Sequence, residues 1–123
     1  MVKILFIINA VLTFPFGVAA LAMPAQLFAH FGVQLDAGGQ LIARGYAATL
    51  LGYGLVIFLM RNQTDGRVLR PFLLSMVVFN AVEAVIQGVA GAQGVAATVI
   101  FGNVALHAAV TLACLAAWSR QKI

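Results

Sequence analysis

Residues 72–90, FLLSMVVFNAVEAVIQGVA, are apolar for nearly their whole length and yet carry Asn80, Glu83 and Gln87. A run of about 20 apolar residues is what one helical crossing of a bilayer needs, because a helix satisfies its own backbone hydrogen bonds in hydrocarbon. At i, i+3 and i+7 the three polar side chains share one helical face, within about 60° of arc. A charge at the bilayer centre costs on the order of 2.5–3.5 kcal/mol on insertion scales, so that face is expected to meet protein or a water-filled cavity. The remainder of the chain is then a wall built around Glu83.

Of the 123 residues, 63% are hydrophobic and 8% charged, with a mean hydropathy of +1.06; a soluble domain carries about 25% charged residues. Lipid is therefore the solvent for most of the surface. The length fits four spans of roughly 20 residues with short loops, as one domain over 1–123 with no soluble domain added. A net charge of +4 would suggest nucleic acid as the partner of a soluble protein. Here Lys3, Arg61, Arg67, Arg70, Arg120 and Lys122 all flank apolar segments, where basic residues mark the cytoplasmic face, and no nucleic acid is expected. The single cysteine, Cys114, allows no intramolecular disulfide and no paired-Cys metal motif.

The first apolar segment, 3–23, has a basic start and ends in small residues, so it reads either as a cleaved signal peptide or as a first span. Its length favours a span, with a kink at Pro15 and a small, mildly polar stripe of Asn9, Thr13 and Gly17 for close helix contact. Residues 24–31 predict a short interfacial helix opened by Pro24 and stopped by Gly32, followed by a loop through Asp36, Gly38 and Gly39. The second span is predicted at 40–60, the hydrophilic loop at 61–70, and the third span at 72–90, opened by Pro71. A turn at 91–94 leads to a fourth span at 95–118, closed by Trp118 and a basic flank. Four spans put the three basic segments on one side and the two loops without Lys or Arg on the other. This predicts an integral membrane protein with both termini cytoplasmic.

At about 1.5 Å of rise per residue, Glu83 falls level with Asn103 on the fourth span, and Asn80 level with His107. Arg44, with Tyr46 or Tyr53, is expected to join the same polar patch from the second span. Ala105, Ala109, Ala113 and Ala117 form a separate stripe turned away from Asn103 and His107. The carboxyl of Glu83 either ties helices together or exchanges protons; His107 beside it would serve as a hydrogen-bonded core histidine or as a proton relay. Arg44 either snorkels to the outer interface or pairs locally, or else it binds an anion. With two histidines and three carboxylates spread along the chain, neither a metal nor another cofactor is expected.

The segment Pro24-Ala-Gln-Leu-Phe through Phe31-Gly32, and Leu41-Ile-Ala-Arg44-Gly45-Tyr46 at the start of the second span, resemble the small four-helix bacterial membrane proteins called DoxX-like. The resemblance implies a four-helix bundle and no particular activity. In length and in having one intramembrane Glu the chain is also similar to small multidrug-resistance transporters, but those carry the carboxylate in their first helix and this chain in its third. The reading is an all-α, integral membrane four-helix transmembrane bundle, expected to be a homo-oligomer, with an interfacial segment between helices 1 and 2. Its expected function is an intramembrane pocket for a small hydrophobic molecule. Glu83 and His107 are the candidate acid–base pair for an isomerisation or epoxide opening, and Asn80, Gln87, Asn103, Arg44, Tyr46 and Tyr53 the candidate ligand contacts. The alternatives are a proton-coupled exporter and a structural subunit of a larger membrane complex, so whether the protein is an enzyme stays open.

Overall fold

The computed structural model describes residues 1–121. The elements run α1 (Val2–Ala22), α2 (Pro24–His30), α3 (Ala37–Leu59), a 3₁₀ turn (Met60–Asn62), α4 (Gly66–Ala92) and α5 (Ile100–Ser119). The fold is all-α, with no strand among the described residues. Four helices, α1, α3, α4 and α5, are long and apolar enough to cross a membrane, and the expected short helix stands between the first two of them.

Helix ends follow local chemistry more closely than hydropathy. The helix α2 starts at Pro24 and stops at Gly32, whose φ of 75° closes a Schellman turn: Val33 N–H donates to the Phe28 carbonyl and Gly32 N–H to that of Ala29. The loop expected through Asp36, Gly38 and Gly39 is instead the first turn of α3, because Asp36 Oδ1 accepts from Gly39 N–H at 2.7 Å and satisfies an orphan donor. Asp65 does the same for α4, accepting from Arg67 N–H at 2.9 Å. The 61–70 loop is thereby shortened, and Pro71 lies inside α4 instead of opening it. Proline is tolerated there because the N–H it lacks would have served the carbonyl of Arg67, an exposed residue of the first turn that water can reach. The fourth span also begins later than 95. A second Schellman turn at Gly94 (φ 71°) commits Val95 and Ala96, whose N–H groups both donate to the Ala90 carbonyl, to ending α4.

The chain divides into two compact units, Phe6–Arg61, and Met1–Leu5 with Asn62–Ile123. In the first, α1 and α3 meet at glycines. A methyl group on Gly17 would come within 3.1 Å of the Leu51 side chain, and one on Gly54 within 3.2 Å of the Phe14 ring. The predicted contact stripe is in place, with Asn9 and Gly17 buried and Thr13 packed on Gly54. In the second unit, α4 and α5 form an antiparallel hairpin. Its buried positions are Leu69, Leu73, Met76 and Asn80 on α4, and Ile100, Val110, Cys114 and Ala117 on α5. These recur every three or four residues, the seam of two helices packed side by side. Ala105, Ala109 and Ala113 face outward as expected, while Ala117 is buried. Each i+4 step turns a stripe by about 40°, so its last member has rotated onto the seam.

Many exposed side chains on the long helices are large and apolar. Leu41, Ile42, Val85 and Leu112 are 72%, 75%, 65% and 67% exposed, an arrangement that suits lipid and that water would penalise.

Candidate functional site

The polar side chains of the hairpin lie on its seam. Asn80 is buried, and its Nδ2 donates to the Met76 carbonyl one turn back at 2.9 Å. This turns Oδ1 toward His107 Nδ1, 2.8 Å away on α5. A carbonyl oxygen only accepts, so Nδ1 carries the hydrogen and, in the neutral ring, Nε2 carries the lone pair. The His107 ring also meets the edge of Phe79, at a centroid distance of 6.5 Å and an angle of 67°. Thr111 Oγ1 donates to the His107 carbonyl at 2.8 Å, which occupies that hydroxyl within its own helix.

One turn further along α4 stands a second chain of hydrogen bonds. Gln87 Nε2 donates to Glu83 Oε2 at 2.9 Å, and Asn103 Nδ2 on α5 donates to Gln87 Oε1 at 2.7 Å. Asn80 and Glu83, from which the two chains of hydrogen bonds start, are three residues apart on α4. The structure thus gathers five of the eight predicted residues, Glu83, His107, Asn80, Gln87 and Asn103, on one helical pair. The contact of Asn80 with His107 follows the predicted depth match, and Asn103, expected level with Glu83, is linked to it through Gln87. The Gln87 side chain bridges Asn103, in the first turn of α5, to the Glu83 carboxyl.

Arg44, Tyr46 and Tyr53 stand on α3, in the other unit. Arg44 is exposed, and its Nε donates to the Leu21 carbonyl at 3.3 Å. That oxygen is among the last four of α1, which have no partner within their own helix. Arg44 therefore caps α1, the local pairing that was one of its two readings. Among the described residues no three His, Cys, Asp or Glu side chains gather as a metal site would require.

Sequence reasoning missed the surface beside Glu83. An open groove of about 660 Å³ runs along α4, lined by Pro71, Leu74, Ser75, Val78, Phe79, Val82 and Glu83. The lining positions repeat every three or four residues, so they form one face, and only Ser75 and Glu83 in it are polar. Ser75 Oγ donates to the Phe72 carbonyl at 2.7 Å, which leaves Glu83 as the groove's chemical feature. Phe79 and Glu83 sit where groove and seam adjoin, so the carboxyl belongs to both. The heptad spacing of the lining was legible; that it forms a groove was not, since an apolar stripe equally describes packing.

No protein family matches the chain, and neither does any curated protein or solved structure. The likeness to DoxX-like proteins therefore rests on segments 24–32 and 41–46 alone.

Proposed function

We propose that the α4–α5 hairpin binds a small, mostly apolar molecule from the bilayer, laid along the α4 groove and engaged at its end by Glu83. The observation that carries this reading is the double membership of Glu83: its carboxyl lines an apolar groove and is hydrogen-bonded by Gln87 into the polar seam. An ionisable group inside a span is costly, and function is its usual justification. A groove of this volume is in the range of small-molecule sites, which pair an apolar lining with few polar groups. Chemistry on such a ligand would be acid–base, with Glu83 giving or taking the proton and His107 exchanging it through Nε2. The basic flanks favour both termini cytoplasmic, the resemblance to DoxX-like proteins favours a bacterial plasma membrane, and the exposed outer faces leave room for a homo-oligomer.

The test uses a lipid-soluble carbodiimide, which reaches carboxyls from the hydrocarbon side. In purified protein it is expected to modify Glu83 and no other residue, and apolar molecules that enter the groove should protect it. Glu83→Gln should keep the helical content and lose the binding of any protecting molecule. Absence of labelling, or undiminished binding of a protecting molecule by Glu83→Gln, refutes the reading.

A further inference from the structure

A second cluster lies at the other end of the hairpin, where α4 begins and α5 ends. The Arg70 guanidinium lies over the Trp118 ring, 4.7 Å from its centroid, and Nη1 donates to the Gln121 carbonyl at 3.4 Å. Next to Gln121 is Arg120, whose Nη1 approaches Met1 Sδ at 3.1 Å. That contact brings the first turn of α1, with Lys3, to the same end of this unit. Asp65, five residues before Arg70 in the chain, has its Oδ1 engaged by Arg67 N–H. Among the described residues no carboxylate pairs with Arg70 or Arg120.

We propose that this end of the hairpin binds the phosphate of an anionic lipid headgroup, with Arg70 and Arg120 as clamps and Trp118 as the platform that orients Arg70. Stacking uses the flat face of the guanidinium and leaves its in-plane N–H groups pointing outward. Nη1 is taken by Gln121, so Nε and Nη2 remain as the parallel pair of donors that fits two phosphate oxygens. The platform also holds the long Arg70 side chain in place before the ligand arrives, which lowers the entropy lost on binding. A lipid suits this site better than a soluble phosphate because the cations continue into apolar surface. Leu74, one turn below Arg70, is 46% exposed, and Leu115, one turn below Trp118, is 39% exposed. One molecule with a phosphate and an acyl chain covers both surfaces, at the level where tryptophan and arginine concentrate in membrane proteins.

The chain contains one tryptophan, so its fluorescence reports this site alone. Full-length protein in neutral micelles is titrated with phosphatidylglycerol brominated on the acyl chain, and in parallel with equally brominated phosphatidylcholine. The anionic lipid is expected to quench Trp118 at lower concentration. Arg120→Gln should weaken that quenching about fivefold, and Arg70→Gln with Arg120→Gln should abolish the preference. Equal quenching by both lipids in the wild-type protein overturns the proposal, whether or not the variants fold. Retention of the preference in a folded double variant overturns the assignment of the clamps. Millimolar inorganic phosphate should leave the quenching unchanged; displacement of the lipid by phosphate would make this a site for a free anion and overturn the lipid assignment.

Discussion

Asn80 decides what His107 is able to do. Its amide is anchored to its own helix on one side and presents an acceptor to Nδ1 on the other, so the ring is fixed as the tautomer with hydrogen on Nδ1. Nitrogen NMR of labelled protein should therefore find Nδ1 protonated, and Asn80→Ala should remove that preference. The same substitution breaks an interhelical hydrogen bond. Such bonds in membranes are worth about 0.6 kcal/mol on average, so a loss of about 1 kcal/mol is expected in equilibrium unfolding from mixed micelles. This pair was readable in the sequence because position along two antiparallel helices fixes depth. The link of Asn103 to Gln87 was not, since depth does not say which way a glutamine side chain reaches; nor was the start of α5, because the five turn residues before it read Val-Ala-Ala-Thr-Val and hydropathy cannot tell them from a span. Arg44 is the corresponding case in the other unit. A basic side chain one turn inside an apolar run signals a buried partner or a cap equally well, and the Leu21 carbonyl made it a cap.

Helix limits rest on a few small decisions. Asp36, two residues before Gly38, and Asp65, next to Gly66, both read as loop residues, yet each carboxylate satisfies a backbone N–H and lengthens the following helix. Replacing Asp65 with Ala should cost about 1 kcal/mol and fray the first turn of α4, seen as faster amide exchange up to Pro71. Gly94→Ala should cost about 1–2 kcal/mol by a different route, since the position has a φ of 71° and open space around it. Gly91 is constrained by a neighbour instead. A methyl group there would come within 2.8 Å of Ile100 Cγ2 and Phe101 Cζ, so Gly91→Ala should push the start of α5 outward and loosen the Gln87–Asn103 contact. That shift would be visible as weaker amide protection in the first turn of α5. The existence and apolar nature of the four long helices were legible without any of this detail. Lipid demands a crossing of roughly fixed length, and no capping residue alters that demand.

Across the whole chain, the loop before α4 and the turn after it lie at opposite ends of one candidate span. With Cys114 replaced by Ala, cysteines placed at Thr64 and at Gln93, both exposed, should react with an impermeant maleimide from opposite sides of the membrane, Gln93→Cys from outside. Labelling of both from one side would remove α4 from the bilayer. The outward Leu41, Ile42, Val85 and Leu112 have a thermodynamic corollary as well. These side chains touch hydrocarbon before and after the helices separate, so disassembly within the bilayer brings little new apolar surface into water. Scanning calorimetry should then show a heat-capacity increment well below the ~12–15 cal/mol/K per residue of water-soluble domains, and a stability curve too flat to turn over on cooling.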